Sequence, residues 1–271
     1  MNRDILKSRY PLVVRVLRPA WHLVSRMTSR KMFPKRAQRA AFRRSFTNFA
    51  QAAQQANDSR FAMTPGDMMP IFGEDTGVSI FDAHYVYHTS WAARLLRANK
   101  PAAHHDFASD IRFATIASAF VPMFFYDYRP LLVDLDGLTS LRADLTNISL
   151  PSESISSLSC MHVVEHIGLG RYGDPIDPGA DLKAIRELQR ILAPGGNLYF
   201  VVPVGSPRLR FNAHRIYSFG MVRHYFETLL LEDFSLVTDG GRFIQHATEK
   251  DANGQAYGCG CFWFHKAPAK G

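Results

Sequence analysis

From residue 80 onward, short apolar runs alternate with longer segments whose apolar residues recur every three or four positions. Residues 80–96 read as a helix docked on a domain, ending before Lys100-Pro101. Residues 103–107 and 122–126 read as strands, with a helix over 111–120 between them and Asp127 closing the second strand. Residues 138–144 hold a short third strand and 157–164 a fourth. Residues 181–192 form an amphipathic helix with Leu182, Ile185, Leu188, Gln189 and Leu192 on one side. Pro194-Gly195-Gly196 is expected to stop that helix, since glycine supports the left-handed turn of a helix end. Residues 198–202 are apolar throughout, as in a strand covered on both faces. A helix over 216–229 and strands at 234–237 and 260–265 complete the series. Such alternation predicts an α/β fold with a doubly wound, mostly parallel sheet.

The N-terminal part has a different character. Val13, Val16, Leu17, Ala20, Trp21 and Val24 recur at helical spacing, with Arg15, Arg18, His22 and Arg26 on another face. Pro19 kinks this basic amphipathic helix or divides it in two. Residues 50–78 are polar and turn-rich, with Pro65-Gly66, Pro70 and Gly73. The expected organisation is therefore a basic helical N-terminal extension over 1–57, a connector over 58–79 and the α/β domain over 80–271.

Charge sharpens this division. The formal net charge is +8, but residues 1–45 hold thirteen Lys/Arg against one acid, a net +12. The remainder holds nineteen against twenty-three acids, a net −4. Three readings of the arm stay open. It packs on the body or on a second subunit, it attaches residues 1–45 peripherally to anionic lipid, or it meets nucleic acid. The last is disfavoured, because no recognisable binding module accompanies the charge. No run approaches 18 apolar residues, so a spanning helix is not expected, and the apolar stretch is too short and too charged for a secretory signal. Cys160, Cys259 and Cys261 are an odd number and make no disulfide framework. A reducing cytoplasmic location follows, with attachment at the inner membrane surface as the variant in which the arm meets lipid. Cys259-Gly-Cys261 has no companion Cys or His pair at zinc spacing. Its period of two puts both sulfurs on one strand face, so burial is expected and no metal site.

The candidate chemistry lies where such sheets bind ligands, beyond the carboxyl ends of the strands. Asp127 follows the second strand about 20 residues after the first, the usual interval for an acid on ribose hydroxyls. The stretch from Val163 to Pro203, with V-V-E-H-I ahead of L-K-A-I-R-E-L-Q-R-I-L-A-P-G-G-N-L-Y-F-V-V-P, resembles the second half of a class I S-adenosylmethionine-dependent methyltransferase. E-H-I-G-L-G-R-Y-G-D-P-I-D-P resembles in particular an uncharacterised bacterial branch of that superfamily. The resemblance covers residues from about 80 to 271. It implies a Rossmann-like, class I methyltransferase-like fold closed by an antiparallel hairpin of the strands 234–237 and 260–265, with S-adenosylmethionine as cofactor.

Carried over residue by residue, it implies cofactor contacts from Asp106, Ala108, Ser109, Asp127, Asp144, Leu145 and His162. Asp144 stands where an acid meets the adenine amino group. Ala108 and Ser109 stand where the family carries glycine, chosen for left-handed backbone angles and close approach to the ligand. Glu165 and His166 open the substrate side. A histidine, with a usual pKa of about 6.5, suits proton removal from an acceptor hydroxyl or amine. Arg171, Tyr172 and Asp174, in a long Gly/Pro/Asp-rich loop, and Arg208 and His214 beyond the fifth strand, are the candidates for acceptor binding. That loop reads either as a closing lid or as a rigid structural loop.

Methyl transfer to a small-molecule or glycan-like acceptor is the function this implies. The absent glycines and the basic arm motivate an alternative, a non-catalytic methyltransferase-like module recruited to a membrane or protein complex. A nicotinamide-dependent dehydrogenase is disfavoured, since no G-x-G-x-x-G opens the first helix.

Overall fold

The computed structural model describes residues 36–58, 60–61, 63–75 and 77–269. The helix expected around residues 13–26 lies outside them. The chain divides into two compact units, 1–80 and 81–271. In the first, α1 spans Arg36–Gln55 and has no buried residue. Its Phe42 meets Phe72 edge to face, with ring centroids 6.1 Å apart. Among the described residues, no helix is long and apolar enough to cross a membrane.

The second unit is built on one eight-stranded sheet. Its elements are α2 (Ala83–Asn99), β1 (His104–Phe107), α3 (Ile111–Ala117), β2 (Met123–Asp127), β3 (Leu138–Arg142) and β4 (Ile155–Met161). There follow α4 (Ala180–Ile191), β5 (Leu192–Val204), β6 (Arg208–Arg210), β7 (His214–Ile216) and α5 (Phe219–Tyr225). The chain closes with β8 (Leu230–Val237), β9 (Phe243–Ile244), α6 (Glu249–Asn253) and β10 (Gly258–His265). The strand order is β3-β2-β1-β4-β5-β10-β8-β9. β1 to β5 run parallel, and β10 runs antiparallel to both β5 and β8. The expected α/β, doubly wound and mostly parallel Rossmann-like sheet is therefore present. The order reverses direction between β1 and β4, the crevice at which such sheets bind ligands.

Alternation along the strands distributes the core to two faces. Leu198, Phe200, Val202 and Val204 of β5 pack with Ile185 and Leu188 of α4 and Phe226 beyond α5. Tyr199 and Val201 pack on the other face with Trp91 and Leu96 of α2, Phe113 of α3, and both Cys259 and Cys261. The two sulfurs, 3.9 Å apart, do share one face. A polar layer crosses the sheet between β1 and β4. His104 Nδ1 pairs with Ser157 Oγ at 2.7 Å and Nε2 with Ser159 Oγ at 2.8 Å. Ser159 donates to the Asp106 carboxylate, so its oxygen accepts from His104 Nε2–H and Nδ1 is the acceptor. Burial, with the neighbouring His105, pushes the His104 pKa down to about 3, and the neutral ring is stacked on Tyr199.

Three expectations are corrected. The segment 216–229 is not one helix. Residues 214–216 pair with 208–210, and α5 starts only where the Ser218 side chain caps the Met221 amide at 3.1 Å. The Gly195-Gly196 pair does not supply a left-handed helix cap, since α4 ends at Leu192 in extended conformation. Gly195, at φ +75, instead turns the chain into the body of β5 and bonds the Lys266 carbonyl. The closing strands are not a simple hairpin, because β9 and α6 intervene between β8 and β10.

β10 approaches its neighbours closely at Gly260, where a Cβ would stand 2.6 Å from Val204 Cγ1 and 2.9 Å from the Phe262 ring. Gly260→Ala is expected to lower stability by about 1–3 kcal/mol through overpacking, read by urea denaturation. An unchanged midpoint would show that Val204 and Phe262 give way to the added methyl.

Candidate functional site

The carboxyl ends of β1, β2 and β4 and the segment after β3 surround one cavity of about 430 Å³, within the range of about 300–1,000 Å³ that small-molecule sites occupy. Its lining includes Ala108, Asp127, Asp144, Leu145, His162, His166, Tyr172 and Asp174 of the residues singled out from the sequence. Asp106, Ser109, Glu165, Arg171, Arg208 and His214 are not on its wall.

The loop after β1 explains how the cavity forms without glycine. Ala108 sits at φ +55, in the left-handed region that glycine favours. Its amide donates to the Tyr126 carbonyl at 2.7 Å, and its methyl is the only side chain it offers the cavity. The next residue locks the turn. The Ser109 amide donates to Asp106 Oδ1 at 3.0 Å, and Ser109 Oγ accepts from the Met161 amide at 3.0 Å. Asp106 thus anchors the loop from beneath and does not face the cavity. Burial raises its pKa to about 6 despite hydrogen bonds from Ser159 and Ser109.

Asp127 and Asp144 each spend Oδ1 on a local turn. Asp127 accepts from the Arg129 amide at 2.8 Å. Asp144 accepts from the Thr146 amide and hydroxyl at 2.8 and 2.7 Å. Such turns hold each side chain at the head of its segment.

The loop from Gly168 to Gly179 is braced by its own carboxylates. Asp174 accepts from the amides of Gly168 and Tyr172. Asp177 accepts from the Gly179 amide and from Lys183, and its own amide bonds the Gly168 carbonyl. A Cβ on Gly168 would lie 2.1 Å from the Asp177 carbonyl oxygen. Asp174 therefore lines the cavity as an organiser of this loop. The Tyr172 ring is flanked by the guanidinium groups of Arg129 and Arg171, 4.9 and 5.1 Å from its centroid.

His166 Nδ1 lies 2.6 Å from the Ala213 carbonyl. A carbonyl only accepts, so Nδ1 carries the hydrogen and the neutral ring presents Nε2 as its basic atom. Glu165 is buried behind it. Its Oε1 is 2.8 Å from His162 Nδ1 and 3.8 Å from His166 Nε2, and burial raises its pKa to about 7. Two arginines beyond β5 are committed elsewhere. Arg208 donates to the Ala256 carbonyl, and Arg215 bonds the Ile167 and Pro178 carbonyls and pairs with Asp181. His214 packs on Tyr257 in a tilted arrangement, with ring centroids 4.8 Å apart. Sequence reading missed the residues packed around His162, namely His84, Tyr85 and His88 of α2. The signal was there in the i, i+4 spacing of His84 and His88.

A model of a family described as "Caenorhabditis protein of unknown function, DUF268" matches residues 146–242, the stretch from before β4 through β8. No curated protein matches the chain. Among solved structures, the YcgJ protein of Bacillus subtilis is 16% identical with a TM-score of 0.46, covering 66% of this chain and 100% of its own. The 1,6-didemethyltoxoflavin-N1-methyltransferase of Burkholderia thailandensis, solved with 1,6-didemethyltoxoflavin and S-adenosylhomocysteine, is 11% identical with a TM-score of 0.47, covering 87% and 92%. A TehB-like SAM-dependent methyltransferase from Corynebacterium glutamicum is 15% identical with a TM-score of 0.42, covering 65% and 86%.

Two predictions follow from the β1 loop. Ala108→Gly is expected to stabilise the protein by about 0.5–1 kcal/mol in thermal or urea denaturation. The left-handed angle costs an L-residue about 1–2 kcal/mol, and glycine returns part of that gain as unfolded-state entropy. A loss of stability would mean that the methyl packs usefully. For Asp106, the folded carboxyl at about 6 lies above the unfolded value of about 3.9, so the fold favours the neutral acid. Its contribution is present below about pH 4 and lost as pH rises through about 6. Relative to Asp106→Asn, the wild type should lose about 2–3 kcal/mol of unfolding free energy over that interval. Parallel stability-versus-pH curves for the two proteins would refute this.

Proposed function

We propose that this chain is an S-adenosylmethionine-dependent methyltransferase acting on a small-molecule or glycan-like acceptor. The observation that carries the reading is the convergence of Ala108, Asp127, Asp144, Leu145 and His166 on one cavity at the switch point of the sheet. The donor set fits the cofactor. Asp127 offers a carboxylate oxygen to a ribose diol, and Asp144 offers one to an adenine amino group, with Leu145 and Thr146 as its apolar and polar flank. The left-handed turn at Ala108 lets backbone approach the amino-acid end, where a larger side chain would fill the space. The cofactor supplies an electrophilic methyl group on a sulfonium centre. The E-H-I-G-L-G-R-Y-G-D-P-I-D-P segment, residues 165–178, supports placement in the bacterial methyltransferase branch it resembles.

The protein's own part is mainly alignment in a closed site. Tyr172, held between Arg129 and Arg171, forms one wall and sheds water from the cavity. His166 receives the acceptor's proton at Nε2, while the Ala213 carbonyl keeps the hydrogen on Nδ1 and steadies the ring as it becomes cationic. The buried Glu165 carboxyl, 3.8 Å from Nε2, favours that cation. The basic segment 1–45 adds, in this proposal, a contact with an anionic membrane surface.

Calorimetry with S-adenosylmethionine and S-adenosylhomocysteine tests the cofactor. Micromolar binding is expected, weakened at least about tenfold in Asp127→Asn, since a charge-assisted hydrogen bond is worth about 1.5–3 kcal/mol. His166→Gln should retain binding and lose about 10²–10⁴ in methyl-transfer rate. If neither folded protein binds either nucleoside, the cofactor reading fails and the non-catalytic module takes its place.

A further inference from the structure

Behind the cavity, a second group of side chains is left unexplained by methyl transfer. His84 of α2, His162 at the end of β4 and Cys259 of β10 bring their ligating atoms within 4.8 Å of one another. His162 Nε2 and Cys259 Sγ are 3.3 Å apart. In a tetrahedral zinc site, bond lengths of about 2.0–2.1 Å to nitrogen and 2.3 Å to sulfur place neighbouring N and S ligands about 3.5 Å apart. His84 is half-buried in the first turn of its helix, so its ring has room to close the remaining gap.

We propose that His84, His162 and Cys259 bind a zinc ion, with the fourth position left to water or another exchangeable ligand.

Three further observations support this. First, His162 Nδ1 is 2.8 Å from Glu165 Oε1. A carboxylate there fixes the hydrogen on Nδ1 and directs the Nε2 lone pair at the thiol, which is the support that metal-bound histidines ordinarily have. Second, His162 holds φ +57, an uncommon angle for a non-glycine residue, and one that persists where side-chain aim matters. Third, Glu165 Oε2, His88 Nε2 and His214 Nε2 are buried without hydrogen-bond partners, although buried polar atoms are rarely left so. His88 Nδ1 bonds the His84 carbonyl at 2.7 Å, so its Nε2 is an acceptor in the neutral ring. Glu165 and His88 both touch His162. A metal-bound water has hydrogens to offer such acceptors.

The donor set selects the ion. Two imidazoles and a thiolate suit zinc and exclude the hard cations magnesium and calcium, which take oxygen ligands. The same Cys-His-Glu order would also activate a thiol nucleophile, but Cys259 has no exposed surface at which a substrate could be attacked. Three protein ligands with an open position is the pattern of catalytic zinc, not structural zinc. His162 also lines the cofactor cavity, so the ion would adjoin it.

Cobalt(II) titration of the metal-stripped full chain tests the site without cofactor, so the fate of the cofactor reading does not bear on it. One equivalent should bind with tetrahedral ligand-field bands and a sulfur-to-cobalt charge-transfer band, and zinc should displace it. Cys259→Ser should abolish the charge-transfer band. His84→Ala should weaken binding at least about tenfold, and Glu165→Gln by about 10–100-fold. Since Cys259 is core and its variant is at risk of misfolding, His84→Ala, on a half-buried helix start, keeps the test decisive. A folded wild type with no cobalt spectrum, or a spectrum unchanged in His84→Ala, overturns the proposal.

Discussion

The Asp106 carboxylate, wholly buried at the end of β1, takes hydrogen bonds from the Ser159 hydroxyl and the Ser109 amide, and Ser109 in turn accepts from the Met161 amide of β4. These contacts tie the two strands at the switch point of the sheet to the loop that opens the cavity. An uncompensated charge there would be costly. The polar layer reaching back through Ser159 to His104 and Ser157 offsets part of that cost with a chain of satisfied groups. What lies above depends on it, because the left-handed turn at Ala108 persists only where its neighbours hold it.

Seen from this anchor, the site is a set of short turns at the heads of parallel strands. Asp127 and Asp144 are aimed by their own backbone, through bonds two residues ahead. The loop after β4 does the same with Asp174 and Asp177, whose carboxylates act as local backbone and set the position of Tyr172. His166 is oriented differently, by a carbonyl from the β6–β7 hairpin. That hairpin therefore orients a ring on the cavity wall although none of its own residues line the cavity.

The environment of His162 shows how one ring serves two regions. One side faces the cavity. The other is packed by His84, Tyr85 and His88 of α2 and meets Cys259 of β10. A sheet face covered by a helix with two histidines one turn apart gathers titratable groups where a core would otherwise hold aliphatic ones. Their burial keeps them neutral, with the pKa of His84 and His162 down to about 4.

The sequence alone determined the alternation of strands and helices, the apolar central strand 198–202, and the acids Asp127 and Asp144. These are local properties: periodicity records which faces are covered, and an acid just past a strand end records its own turn. It also marked Ala108 as occupying a glycine position, though not that the chain would still adopt glycine's angle there. Tertiary structure alone decided the rest. Residues 216–229 read as one helix, yet 214–216 became a strand because 208–210 offered it a partner. Arg208 after β5 looked available to a ligand, but it was taken by a carbonyl distant in the chain, that of Ala256. Cys259-Gly-Cys261 lacked a nearby ligand pair, because sequence spacing sees only neighbours, whereas His84 and His162 reach Cys259 through the packing of α2 and β4 against β10. Contacts between residues far apart in sequence leave no periodic trace, and they are what distinguish a buried carboxylate that anchors a loop, Asp106, from one on the wall of the cavity, Asp127.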